Sequence, residues 1–153
     1  MELTPKDLRP PLCIINVYMY NRKEDTSLRQ INILDAIRKT PTSSPTFVLG
    51  DWNFPVNTPN KKLAEAWQRV CARFHLSEAS QDLDTYYRGS FSSRLDRIYH
   101  PLSESQISLA CPQAMVIPKP GHRGDSPPSD HLPISLSYAD TSPLPGEGLP
   151  PCS

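Results

Sequence analysis

Between Pro45 and Gly50 the run Thr46-Phe47-Val48-Leu49 is apolar on consecutive residues rather than alternate ones. Strand side chains alternate between two faces, so such a run suits a central strand covered on both sides, which demands layers of structure around it. Helical patterns lie on either side of it in the chain. Ahead, Leu28, Ile31, Leu34 and Ile37 recur every three residues between Thr26 and Lys39, with Asp25 or Thr26 as cap and Pro41 as stop. Behind, a helix from about Asn60 to His75 sets Leu63, Ala66, Trp67, Val70, Cys71 and Phe74 on one face. Thr58 is its expected cap, with Pro59 in the first turn.

The remaining apolar segments read as strands. Leu12 to Tyr20 is a β-branched, apolar run that ends at Asn21-Arg22-Lys23. Thr85-Tyr86-Tyr87 and Leu95 to Tyr99 are two short strands, expected to pair as a hairpin through Arg88-Gly89-Ser90. Ala114 to Ile117 is another, followed by a proline- and glycine-rich loop over 118–129. Leu132, Ile134, Leu136 and Tyr138 then alternate with polar or small residues, the pattern of a half-buried strand. The order β-α-β-α-β-β-β-β is a mixed α/β layout. Residues 1–11 form a lead-in, 12–138 the domain, and 139–153 a Pro/Gly/Ser tail expected to be disordered.

Composition narrows the function classes. Lys plus Arg and Asp plus Glu are 16 each, so nucleic-acid binding needs a local patch or a metal rather than a basic surface. The basic pairs Arg22-Lys23 and Lys61-Lys62 read as solvated surface, and Trp67, on the apolar stripe, as core. Cys13, Cys71, Cys111 and Cys152 form no CxxC pair, which argues against a zinc site or disulfide framework and for a reducing compartment. The first residues lack an apolar signal core, and no stretch nears the ~20 apolar residues of a membrane span. The reading is soluble and intracellular, with the nucleus left open.

Polar constellations stand at the strand ends. Asp51 and Asn53 follow the central strand, and an extended backbone would point both to one side. Asp96 stands second in the Leu95–Tyr99 strand, while Asp130 and His131 stand at the entrance of the last strand. These oxygens suit a hard cation such as Mg²⁺, and the imidazole suits proton transfer or charge stabilisation at a phosphate.

At these residues the chain resembles the endonuclease/exonuclease/phosphatase family. Gly50-Asp51-Trp52-Asn53 is similar to its GDxN motif, Arg94-Leu95-Asp96-Arg97-Ile98 to its RxDxI strand, and Ser129-Asp130-His131-Leu132-Pro133-Ile134 to its SDHxPI ending. Asn16-Val17-Tyr18 followed by Asn21 resembles the strand carrying a phosphate-contacting Tyr. The resemblance implies the carboxyl-terminal half of a four-layer α/β sandwich, a partial two-layered β-sandwich flanked by helices. It implies Mg²⁺-dependent phosphodiester hydrolysis, with Mn²⁺ as an alternative ion and DNA as substrate, in the manner of repair or retrotransposon endonucleases. Lipid and nucleotide phosphatases of the family share the motifs.

By the same resemblance Asp51 activates or aligns water, Asn53 orients it, and His131 contacts the scissile phosphate or relays a proton. Asp130 helps hold the metal with Asp51 and Asn53, Asp96 buttresses the site, Tyr18 reaches the phosphate, and Asn21 and Ser129 bind substrate. The family's amino-terminal half brings an Asn and a metal-binding Glu that have no counterpart here. The expectation is therefore impaired activity, a non-catalytic remnant, or complementation by an amino-terminal half or a second copy across an exposed apolar sheet face.

Overall fold

The computed structural model describes residues 2–3, 11–22, 24–55, 57–81, 83–110, 113–116 and 130–137. Ser129, the 118–129 loop, Tyr138 and the 139–153 tail lie outside them, as do Cys111 and Cys152.

Strands β1 (Glu2–Leu3), β2 (Leu12–Tyr18) and β3 (Thr46–Asp51) belong to one sheet with β4 (Ser77–Glu78) and β7 (Asp96–His100), in the order β1-β2-β3-β7-β4. The lead-in therefore carries a strand, antiparallel to β2. β2 and β3 run parallel because helix α1 (Thr26–Arg38) supplies the crossover such a pair needs. β3 is the central strand its sequence demands, with β7 antiparallel on its other side.

Register assigns the two faces. Val48 stands between Ile15 and Tyr99, and with Val17 and Met19 they pack against α1 and helix α2 (Lys61–Phe74). Leu34, Ile37, Leu63, Ala66, Val70 and Phe74 complete that core. The opposite face presents Ile14, Phe47, Leu49 and Ile98. A small sheet of β8 (Gln113–Val116) and β9 (Ile134–Ser137) adjoins this face, and a groove of ≈ 320 Å³ lies between Leu12, Ile14, Leu49, Ile134 and Leu136. One face is thus fully layered and the other partly open.

Several expectations are corrected. Tyr86–Arg88 (β5) pairs with Phe91–Ser93 (β6), not with the 95–99 segment, because Gly89 at φ 60° closes a two-residue turn. The later segment, β7, is buried over Arg97 to His100 and joins the main sheet. Leu28 is 59% exposed. A helix turns about 100° per residue, so positions three apart drift, and Leu28 ends roughly 180° from Ile37. Buried Gln30 takes its place, donating to the Tyr20 carbonyl at 2.8 Å. Asp25 occupies the cap position of α1 without a side-chain capping bond, while the Thr26 hydroxyl bonds the Arg22 carbonyl.

Helix α3 (Glu104–Ala110) has no counterpart in the apolar pattern, but its signal was present. Ser103 Oγ accepts from Gln106 N at 3.3 Å, and Gln106 Oε1 accepts from Ser103 N at 2.9 Å, a capping box. For α2 the cap is Asn60, not Thr58: its Oδ1 accepts Leu63 N at 3.1 Å. Asn60→Ala should cost about 1 kcal/mol in denaturant unfolding, whereas Thr58→Ala should cost less than half of that, a ranking that reverses if Thr58 is the true cap.

Candidate active site

Three in-register residues begin the site. Tyr18 is the partner of Asp51 across the β2–β3 ladder, and Asp51 the partner of Asp96 across β3–β7. Paired residues share a sheet face, so a tyrosine and two carboxylates line up at one end of the open face. The Tyr18 side chain is 71% exposed.

Asp51 and Asn53 converge, but not by extension. Asn53 adopts φ 47°, a left-handed conformation that Asn tolerates better than most residues. Asn53 N donates to Asp51 Oδ1 at 3.0 Å, an Asx turn, and the left-handed φ goes with a side chain whose Nδ2 donates to Asp51 Oδ2 at 2.8 Å. Nδ2 also donates to the Met19 carbonyl at 3.0 Å, while Oδ1 accepts from Asn21 Nδ2 at 3.2 Å. Two acceptors on one side and a donor on the other fix the amide's orientation.

His131 arrives from the far end of the chain. Its Nδ1 lies 2.8 Å from Asp96 Oδ2 and its Nε2 4.0 Å from Asp51 Oδ2. A carboxylate on Nδ1 sets ring orientation and tautomer. The segment is held by Leu132 N on the Thr85 carbonyl at 2.6 Å, by Tyr87 N on the Asp130 carbonyl at 2.9 Å, and by the Tyr86 ring 5.0 Å from the imidazole. Asp130 itself is exposed.

Burial holds the Asp51 carboxyl above its ordinary value of 3.8, and the nearby Asp96 charge pushes the same way. The Asn53 bonds and the His131 charge oppose them. A carboxylate disfavoured in its charged form is a better proton acceptor than a solvated one.

Three supporting residues were not singled out in the sequence. Fully buried Thr85 accepts Asp96 N on Oγ1 at 2.9 Å, and so ties β7 to the His131 segment. Gln81 Nε2 donates to the Asp96 carbonyl at 3.3 Å. Arg97, 1% exposed, donates from Nη2 to the Phe54 carbonyl at 2.6 Å, and its guanidinium carbon lies 5.6 Å from the Trp52 ring centre. Trp52 is fully buried between Asp51 and Asn53, with Trp67 and Tyr99 edge-on at 4.5 and 5.2 Å. The loop bearing the two polar residues is therefore anchored through its hydrophobic middle.

The carboxylate oxygens of Asp51 and Asp96 are the donor type a hard divalent cation takes, whereas Asn53 Oδ1 is turned to Asn21. Among the described residues no group of three or more His, Cys, Asp or Glu is spaced to hold a metal ion. A cation there would complete its shell with water and substrate phosphate, as Mg²⁺ commonly does.

Comparisons with protein-family models and with curated protein sequences find no match. Solved structures do match. The chain is similar to the endonuclease domain of TRAS1, a telomere-specific non-LTR retrotransposon, at 14% identity and a TM-score of 0.55 over 90% of this chain and 59% of that one. It is also similar to an endonuclease/exonuclease/phosphatase family protein from Leptotrichia buccalis C-1013-b, at 14% identity and 0.53, covering 91% and 52%. A functionally unknown conserved protein from Enterococcus faecalis V583 gives 17% and 0.52, covering 88% and 52%. The fold is that of the endonuclease/exonuclease/phosphatase proteins, and the chain spans between half and three-fifths of the structures it matches. No helix among the described residues is long and apolar enough to cross a membrane.

Proposed function

We propose that the chain is a phosphodiesterase of the endonuclease/exonuclease/phosphatase family that cleaves DNA. The observation carrying this reading is the assembly of Asp51, Asp96 and His131, from three distant segments, at one end of a sheet. Asp51, oriented by Asn53, accepts the proton of an attacking water. His131, held by Asp96, stabilises the phosphate or returns a proton to the leaving oxygen. Tyr18 and Asn21, at the end of β2 and just beyond it, contact flanking phosphate oxygens. Asp51, aided by the Asp130 carboxylate, would hold Mg²⁺ or Mn²⁺, which when bound neutralises charge on the phosphate, and the Asn53 oxygen would join them only by turning away from Asn21.

A second reading, a non-catalytic remnant, draws support from the lack of a three-residue metal cluster among the described residues. Cleavage and metal binding separate the two. The full chain should nick supercoiled DNA in Mg²⁺ and stop when the ion is chelated. Folded protein that cleaves neither nucleic acid, phosphoinositide nor sphingolipid, and that binds Mn²⁺ no tighter than Asp51→Asn does, is the remnant. Cleavage of the lipid alone would move the substrate from DNA to a phosphatase class.

A further inference from the structure

Beside the Asp51–Asn53 loop, a groove of ≈ 300 Å³ opens between the end of β2 and α1, lined by Tyr18, Tyr20, Asn21, Arg22 and Ile33. We propose that it is a subsite for one unpaired nucleotide flanking the scissile phosphate, with Tyr20 as the platform on which the base stacks. This rests on, and deepens, the nucleic-acid reading above.

Tyr20 meets α1 at two points, its ring and its backbone carbonyl. The Arg29 guanidinium carbon lies 4.7 Å from its ring centre, and its carbonyl accepts Gln30 Nε2 at 2.8 Å. Both partners come from α1, which ties down the Tyr20 backbone and sets a cation against its half-buried ring. A preset aromatic ring loses little entropy when a base stacks on it, and a guanidinium on the ring adds to the platform. Arg22, exposed as its sequence suggested, brings positive charge to the same groove.

Asn21 connects the groove to the chemistry. It lines the groove and also donates to Asn53 Oδ1 at 3.2 Å. A nucleotide bound there lies directly beside the residue that orients Asp51. Stacking requires an exposed base face, which a paired base inside a duplex does not offer, so the ligand class is a single-stranded or unpaired nucleotide.

The test is fluorescence anisotropy in EDTA, so that no turnover occurs, using the full chain with a labelled single-stranded oligonucleotide and its abasic counterpart of equal length and charge. The parent should prefer the base-containing strand. Tyr20→Ala should weaken that strand about 5- to 150-fold while leaving the abasic strand unchanged. Tyr20→Phe should retain the preference, and Tyr20→Leu, similar in bulk but without a π face, should lose it. Equal weakening of both strands, or no preference in the parent, overturns the subsite. If the preference depends on Tyr20 but no DNA is cleaved, the hydrolase reading falls and the subsite stands. If DNA is cleaved without that preference, the subsite alone falls.

Discussion

Asp51→Asn should lower DNA cleavage by about 10²- to 10⁴-fold, the range for removing a positioned general base. The same substitution should change stability in a pH-dependent way that no activity assay reports. The folded-state pKa of Asp51 is raised, chiefly by burial and next by Asp96. A raised pKa makes a stabilising contribution that is full below the unfolded value of about 3.8 and is lost as pH rises through the folded one. The parent is therefore penalised at neutral pH relative to a neutral amide. Melting curves between pH 3 and pH 7 should show the variant gaining on the parent as pH increases. A variant that holds a constant offset from the parent, or loses ground to it as pH rises, would mean that Asp51 is not held above its ordinary value. The coupled outcome, lower activity with better relative stability at neutral pH, is expected of a strained functional carboxylate.

Gly50→Ala should cost roughly 4 kcal/mol or more and leave little folded protein, a larger loss than any ordinary surface change. Gly50 adopts φ 135°, which L side chains rarely do, and a Cβ there would lie 2.0 Å from the Val17 carbonyl oxygen and 2.8 Å from Val17 N. Both atoms are backbone of the neighbouring strand and cannot swing aside. Relief would require β2 and β3 to separate, with the Tyr18–Asp51 partners moving with them. A control is at hand: a Cβ at Gly89 meets nothing within 4 Å, so Gly89→Ala carries only the strain of φ 60° and should cost far less. Circular dichroism and denaturant unfolding of the two variants make the comparison. Near-equal stability would mean that the close approach of β2 and β3 at Gly50 does not exist in solution.

Both effects involve the same short stretch, and its sequence showed part of why. The consecutive apolar residues Thr46 to Leu49 foretold a central strand, and the polar residues after Gly50 marked its end as a candidate site. What the spacing could not tell is that Asn53 reaches Asp51 by a left-handed Asx turn rather than by an extended strand. Both routes place the side chains together, so the expectation held for the wrong geometric reason. Nor could the letter between them reveal that Trp52 is buried at the junction of Trp67 and Tyr99. In the motif it reads as a variable position, whereas in the fold it fixes the loop.

Elements built by local patterns were legible, and those chosen by competition were not. α2 follows its apolar stripe because burying one face satisfies the whole helix. β5 had two segments downstream to pair with, the mostly exposed Phe91–Ser93 and the buried 96–100. The two-residue turn at Gly89 gave it the nearer one, while the 96–100 segment was taken by the edge of β3. Short-range closure and long-range burial each won where its own cost was lower.

By itself the sequence determined the α/β class, the order of the main strands and helices, and the residues able to do acid, base and metal chemistry. The tertiary structure decided which of them meet. His131 and Asp96 are 35 residues apart, and Asn21 and Asn53 are 32 apart, yet each pair lies within hydrogen-bonding distance. No periodicity encodes such contacts. They follow from strand register, which sets Tyr18, Asp51 and Asp96 side by side, and from the Thr85 bonds that bring the His131 segment to them.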